Sequence, residues 1–86
     1  MLHPQWLRTF VTVAGAASFS EAGRRLHLTQ STISDHIRQL EAALGRRLIV
    51  RDTHSLALTP DGETMLLHAR AILEAHANAE AQFSAA

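Results

Sequence analysis

The sequence contains no cysteine, and this absence excludes two classes of structure. Without thiols the chain forms neither a disulfide framework nor a thiolate metal site, which fits a reducing cytoplasm. Long apolar runs are missing as well, so no segment approaches the roughly 20 residues of a membrane-spanning helix. The N-terminal residues lack a basic region followed by an apolar core. We therefore expect no signal peptide and a cytoplasmic location.

Lysine is also absent, so all the positive charge comes from eight arginines, which eight acidic residues balance. A net charge of zero is unlike the basic composition of a typical nucleic-acid-binding domain. The charge is unevenly spread, however. Residues 24–58 hold six Arg and three acids, a net charge of +3, whereas residues 59–86 hold one Arg and four acids, a net charge of −3. This distribution favours a positively charged binding face in the middle of the chain.

Residues 29–45 have the pattern of a short helix with one apolar stripe. Thr29 can cap the first amides, and Gly45 can end the helix in a left-handed conformation. The apolar residues recur at helical spacing, at Ile33, Ile37, Leu40 and Leu44. The opposite side either contacts base edges in a DNA major groove or is an ordinary solvated face. It contains Gln30, Ser31, Ser34, Asp35 and Arg38.

The residues before this helix predict a second helix and a tight turn. Ser18-Phe19-Ser20-Glu21 is an S-x-x-E capping box, in which Ser18 caps the helix and Glu21 reaches back to it. Gly23 lies within the helix, either to allow close approach of the next helix or as a tolerated weakness. Residues 27–29 then connect the two helices. This order is typical of a helix-turn-helix motif.

An amphipathic helix is predicted before this motif. Pro4 suits its first turn, where the missing amide hydrogen costs nothing. Trp6 and Val13 lie off the main apolar stripe and are either partly buried or form a second face for another helix. Two apolar faces on so short a helix favour the second interpretation. The residues expected to face the core are Leu7, Phe10, Val11, Ala14 and Ala17.

A small hairpin and a long helix are predicted after Gly45. Residues 48–50 and 56–58 favour strands on either side of a four-residue turn, and two strands alone are marginal, so the hairpin must pack on the helices. Thr59 and Pro60 then supply a cap and a first helical residue. No helix breaker follows Gly62.

The long helix has an a/d pattern of apolar and small residues through three heptads. This pattern predicts a dimer interface, to which we also assign Trp6. A frayed helix end is the alternative. The predicted interface residues on the long helix are Met65, Ala69, Ile72, His76, Ala79 and Phe83.

The predicted fold is mostly α. Eighty-six residues, 47% of them hydrophobic, allow one small globular unit with a modest core. Residues 1–58 would form a winged helix-turn-helix domain with a three-helix core and a two-stranded β wing. Residues 59–86 would form a long linker helix for dimerisation.

Together these segments resemble the N-terminal winged helix-turn-helix domain of LysR-type bacterial transcriptional regulators. The similarity covers nearly the whole chain at fixed spacing, so it is more specific than any single motif. The main matching segments are residues 7–11, 17–22, 25–31, 33–34, 37–41, 44–45, 58–59 and 68–70.

The resemblance implies a sequence-specific DNA-binding domain. It would bind an interrupted inverted repeat in double-stranded DNA as a homodimer, or as a tetramer in the full-length protein. A small-molecule effector would act only through a further C-terminal domain, which 86 residues cannot contain.

The resemblance also assigns roles to individual residues. The helix predicted over residues 29–45 would enter the major groove, and the wing would approach the minor groove. Arg38 and Arg51 would contact phosphates. Asp35 departs from the family, which often has a basic or neutral polar residue there, so it either accepts from a cytosine amine or pairs with Arg38. The predicted DNA-contacting residues are Ser18, Ser20, Thr29, Gln30, Ser31, Thr32, Ser34, Asp35, Arg38, Arg51, Thr53 and His54.

Metal binding and catalysis find no support in the sequence. The six histidines form no i, i+4 pair, and there is no Gly-rich phosphate loop or nucleophile elbow. We therefore predict no metal, no cofactor and no enzymatic activity. The alternative function is a helical dimerisation or protein-interaction module that does not bind DNA, which the zero net charge and Asp35 favour.

Overall fold

The computed structural model describes residues 1–52 and 55–84, so the predicted wing-tip residues Thr53 and His54 lie outside the described residues. Within these ranges the chain forms four helices and one antiparallel pair of strands, as the predicted fold class requires. Searched over the same ranges, no helix is both long and apolar enough to cross a membrane. The elements are α1 Pro4–Ala16, α2 Phe19–Leu26, α3 Gln30–Leu44, β1 Ile49–Arg51, β2 Leu56–Leu58 and α4 Pro60–Ser84.

Local sequence chemistry sets where the first three helices begin and end. Ser18 Oγ accepts a hydrogen bond from the Glu21 amide at 3.1 Å, and Thr29 Oγ1 accepts one from the Thr32 amide at 3.2 Å. These side chains satisfy amides that have no partner within the helix, as predicted. Each helix then ends at a residue in the left-handed conformation. These end residues are Ala17, His27 and Gly45.

The core lies where α1 packs against α2, α3 and α4. Leu7, Phe10 and Val13 are each at most 1% exposed. The full burial of Val13 agrees with the favoured interpretation that it belongs to a second apolar face, because α1 is covered by three helices. Ala17, expected in the core, is exposed because the chain leaves the helix there with φ at 54°.

Two polar contacts fix α3 to its neighbours. Thr9 of α1 is fully buried, and its hydroxyl lies 2.8 Å from Nδ1 of His36. The buried hydroxyl therefore has a hydrogen-bond partner. Near the other end of α3, the Glu41 carboxylate accepts from the amides of Leu48 and Ile49 at 2.8 and 3.3 Å. The first contact holds α3 on α1, and the second holds the wing on α3.

The wing is a short antiparallel hairpin in which Ile49 pairs with Leu58 and Arg51 pairs with Leu56. The first strand begins one residue later than predicted. The amide of Leu48 donates to Glu41 instead of joining the strand ladder, and its side chain is buried in the core.

The start of α4 is joined to the hairpin through Thr59. The Thr59 amide donates to the Leu48 carbonyl at 3.0 Å, and its hydroxyl donates to the Arg47 carbonyl at 2.6 Å. The same hydroxyl accepts from the Gly62 amide at 2.9 Å, which confirms the predicted cap. The first turn of α4 is therefore held directly against the base of the wing.

The predicted dimer seam along α4 divides into two parts. Gly62, Met65 and Ala69 are buried within the chain itself, so the prediction that Met65 and Ala69 face a partner is wrong. The heptad pattern in this half reflects packing on the chain's own core, because α4 lies against α1. Beyond Leu73 the described residues of α4 are all exposed.

Gly62→Ala is expected to destabilise the protein, since a Cβ at this position would lie 2.0 Å from the Leu48 carbonyl oxygen. Moving the backbone to relieve that overlap costs about 1–3 kcal/mol. Gly15→Ala is the matched control, because nothing lies within 4 Å of the added Cβ. It should stabilise α1 by about 0.4–1 kcal/mol. Urea unfolding followed by circular dichroism measures both, and a Gly62→Ala protein as stable as wild type would contradict the close packing.

Candidate nucleic-acid interface

The outer face of α3 presents short polar side chains. Gln30, Ser31 and Arg38 are exposed, whereas Ser34 and Asp35 are half-buried. The opposite stripe is in the core, with Ile33 and Leu40 fully buried and Ile37 4% exposed. The burial of that stripe fixes which side chains α3 presents to solvent. The predicted base-contacting residues therefore lie on one accessible face.

A hydroxyl cluster surrounds the start of α3. Besides capping the helix, Thr29 Oγ1 donates to Thr32 Oγ1 at 3.0 Å and lies 3.4 Å from Ser31 Oγ. The Gln30 amide group donates to Ser20 Oγ of α2. These contacts join the first turns of the two helices. They bring together the predicted residues Ser20, Thr29, Gln30, Ser31 and Thr32.

The turn between α2 and α3 is tight because of Gly23. A Cβ at this position would lie 2.6 Å from the Leu28 carbonyl oxygen, while the Leu28 amide donates to the Gly23 carbonyl at 2.9 Å. Gly23 therefore allows a close approach, mainly of the turn backbone, while Ile33 of the following helix lies at an ordinary contact distance of 3.9 Å from the same Cβ position. This contact fixes how α2 and α3 are joined.

Glu21 does not complete the capping box as predicted. Its carboxylate accepts hydrogen bonds from Arg24 and from Arg25, the latter at 3.2 Å. These bonds, that from Arg24 first, lower the pKa of Glu21 below its ordinary value. The Glu21 carboxylate binds the guanidinium groups of Arg24 and Arg25 instead of the backbone amide of Ser18. Only the Ser18 half of the capping box is therefore formed.

Asp35 and Arg38 form an ion pair of 2.6 Å on the exposed side of α3. The second carboxylate oxygen of Asp35 accepts from the Gln39 side-chain amide. The Arg38 hydrogen bond, followed by that of Gln39, lowers the pKa of Asp35 below its ordinary value, so the carboxyl is ionised at neutral pH. In the free protein, Arg38 is therefore engaged before any ligand arrives.

Carboxylates pair with most of the arginines between residues 24 and 58. Besides the pairs of Glu21 and Asp35, Arg46 lies 3.7 Å from Asp61 and Arg47 lies 3.6 Å from Glu41. Glu21 and Asp61 lie outside the segment, so their carboxylates offset part of its net positive charge. Among the described residues, Arg51 is the arginine of this segment that has no carboxylate partner; its guanidinium carbon lies 4.2 Å from the centroid of the Phe19 ring.

Arg51 and Phe19 lie between two adjacent surface grooves. Both residues line a groove beside α3, together with Ser34 and Arg38, and a second groove beside the start of α2. The second groove is also lined by Ser18, Ser20 and Gln30. Six predicted DNA-contacting residues from three elements thus share one surface. Phe19 was not predicted as a member, because a single sequence does not place a strand-end arginine over it.

The exposed half of α4 contains the remaining residues of the predicted dimer seam. Ile72 is 43% exposed and Phe83 is 84% exposed, and His76 and Ala79 are exposed between them. Nδ1 of His76 lies 3.4 Å from the Glu80 carboxylate. Trp6 is half-buried against the core, with its ring centroid 5.7 Å from that of His3. Within residues 1–52 and 55–84, no three His, Asp or Glu side chains converge as metal ligands would.

Comparison with known proteins identifies several relatives. HcaR of Escherichia coli K12, the Hca operon transcriptional activator, is 47% identical over 74 residues, which are 86% of this chain and 25% of that protein. The activator AllS of Klebsiella pneumoniae is 49% identical over 70 residues, which are 81% of this chain and 26% of that protein. This chain thus spans about a quarter of the length of these curated relatives.

Solved structures have the same fold. The CbnR DBD in its complex with DNA superposes with a TM-score of 0.90 at 34% identity, covering 93% of this chain and 92% of that one. Vibrio fischeri DarR, also in complex with DNA, superposes with a TM-score of 0.93 at 30% identity, covering 98% of this chain and 29% of that one. The family model for bacterial regulatory helix-turn-helix proteins of the lysR family matches residues 4–63. The chain therefore belongs to the lysR family of bacterial regulatory helix-turn-helix proteins.

Proposed function

We propose that this chain is the sequence-specific DNA-binding part of a bacterial LysR-type transcriptional regulator. The observation that supports this function best is the shared surface formed by α3, the start of α2 and the strand-end Arg51. α3 enters the major groove, whose width of about 12 Å admits a helix. The wing approaches the neighbouring minor groove. A regulator of this kind acts in the bacterial cytoplasm, and we propose no enzymatic role.

Short side chains on α3 suit contact with base edges. Gln30 can form two hydrogen bonds with adenine, and the hydroxyls of Ser31 and Ser34 can reach bases or phosphates. Because these side chains are small, the helix backbone can approach the floor of the groove. Thr29 and Thr32 lie at the same end of the helix and contact the edge of the groove.

Phosphate contacts come from the residues around α3. Ser18 and Ser20 lie at the start of α2, where free amides and hydroxyls favour an anion. Arg38 and Arg51 line the groove beside α3 and contact phosphates there. Asp35 pairs with Arg38 in the free chain. When Arg38 contacts a phosphate, its ion pair with Asp35 either stays intact or opens.

Two copies of the chain bind an interrupted inverted repeat as a homodimer. The exposed half of α4, with Ile72 and Phe83, is the surface that supports this part of the proposal. The inner half of the helix is held by its own domain and can position the outer half relative to α3. In longer regulators of this family, we place any effector recognition in the part that this chain does not match.

The alternative function, a protein-interaction module without DNA binding, is supported by the zero net charge and by the paired arginines. A mobility-shift assay with random-sequence duplex at low salt distinguishes the two. Binding to DNA at micromolar protein supports the proposed function. The absence of any shift would favour the interaction module. Selection of bound duplexes from a random pool then identifies the preferred sequence.

Gln30→Ala and Arg38→Ala are expected to weaken DNA binding in different ways. Loss of the Gln30 amide should remove about 1–3 kcal/mol of discrimination at one base pair. Loss of Arg38 should weaken binding to all sequences alike and reduce the slope of log K against log salt by about 0.9. Fluorescence anisotropy with the selected duplex and single-base variants measures both. Arg70→Ala, an exposed change on α4, is the control. Full discrimination by Gln30→Ala would exclude its contact with a base.

Asp35→Asn is expected to raise the affinity for random duplex several-fold at low salt. The substitution keeps the shape of the side chain but removes the charge that pairs with Arg38 and repels phosphate. Glu74→Gln on exposed α4 is the control, because it changes the net charge by the same amount. Equal gains in the two variants would show that only net charge matters and would contradict a local effect of Asp35.

Ile72→Glu combined with Phe83→Glu is expected to convert the dimer to a monomer, since both apolar side chains are exposed on α4. Leu67→Glu is the control, because Leu67 is 68% exposed on the same helix but lies off the predicted seam. Sedimentation equilibrium over a range of protein concentrations measures the association. A double variant that dimerises as wild type does would place the interface elsewhere.

A further inference from the structure

Arg51 is held differently from the other arginines near the proposed interface. Arg24, Arg25, Arg38 and Arg47 each lie within 4 Å of a carboxylate. Such a partner uses guanidinium N–H groups and cancels their charge. Arg51 instead lies over the face of Phe19, with 4.2 Å between the guanidinium carbon and the ring centroid.

Contact with an aromatic face preserves the positive charge and the N–H donors that bind a phosphate. The ring attracts the cation through its quadrupole and supplies no negative charge, so the guanidinium stays fully positive. The N–H groups lie in the plane of the guanidinium, where they can still donate to a phosphate. A contact of this kind therefore orders the side chain without neutralising it.

Both partners in this contact are fixed by the fold. Phe19 is the first residue of α2, directly after the cap Ser18, and its half-buried side chain packs against the core. Arg51 is the last residue of β1 and pairs with Leu56 across the hairpin. The two side chains meet between the groove beside α3 and the groove beside the start of α2.

We propose that Phe19 is a positioning residue for DNA binding, which holds the guanidinium of Arg51 ready to contact a phosphate between α2 and α3. The role rests on the proposed function of the chain. Phe19 itself need not touch DNA. It reduces the number of conformations that Arg51 loses when the complex forms.

The test compares Phe19→Leu and Phe19→Tyr, each with intact Arg51 and in the Arg51→Ala background. Leucine keeps an apolar side chain against the core, and tyrosine keeps the aromatic face. With Arg51 intact, Phe19→Leu should weaken binding to the selected duplex about two- to five-fold, and Phe19→Tyr should bind as wild type does. In the Arg51→Ala background, all three residues at position 19 should give the same affinity, because no guanidinium remains to be positioned.

Nuclear magnetic resonance gives a readout that a purely structural role would not produce. The Arg51 δ-protons should be shifted upfield by the ring in wild type and in Phe19→Tyr, and the shift should be lost in Phe19→Leu. Unchanged affinity of Phe19→Leu, or an equal loss in the Arg51→Ala background, would overturn the positioning role while leaving the proposed function intact. A wild-type protein with no affinity for any duplex would overturn the proposed function and this role together.

Discussion

Burial of the apolar stripe of α3 is the interaction on which the rest of the structure depends. Ile33, Ile37 and Leu40 fix the helix against the core, and Thr9 of α1 meets His36 within the same interface. A helix that is held on one side has only its other side available for recognition. The short polar residues of α3 are therefore presented in a single orientation, and the remaining elements are arranged around them.

Contacts with backbone groups fix the elements on either side of α3 as well. The Glu41 carboxylate holds the first strand of the wing, and the tight approach at Gly23 fixes the turn before α3. As a result, α2, α3 and the wing strand contribute to one surface. Most of the arginines at or beside that surface are paired with carboxylates in the free chain.

The sequence was sufficient to predict features that depend on neighbouring residues. The caps Ser18, Thr29 and Thr59 and the left-handed Gly45 follow from local hydrogen bonding and backbone freedom. Helical spacing offered the Asp35–Arg38 pair as one of two alternatives, and the structure has that pair. Features that depend on distant packing were predicted only in part. The apolar faces of α1 indicated a second helix contact at Val13, but not that three helices cover α1.

The candidate site likewise contains features that depend on neighbouring residues and features that depend on distant packing. The polar face of α3 was predictable, since its residues share a helix. The contact of Arg51 with Phe19 joins a strand to a helix more than thirty residues away, and no sequence period indicates it. Met65 and Ala69 fit a heptad pattern, but that pattern does not distinguish packing within a chain from packing between chains.

The junction at Thr59 has a mechanical consequence. One side chain ties the first turn of α4 to the Arg47 carbonyl, and the Thr59 amide ties it to the Leu48 carbonyl. Gly62 packs closely against the same carbonyl, which adds a third contact between the start of the helix and the base of the wing. The helix has 25 residues and is about 37 Å long, so its far end acts as a lever arm. Because these contacts join the start of the helix to the wing, a small tilt of the residues packed around α3 becomes a larger displacement at Ser84.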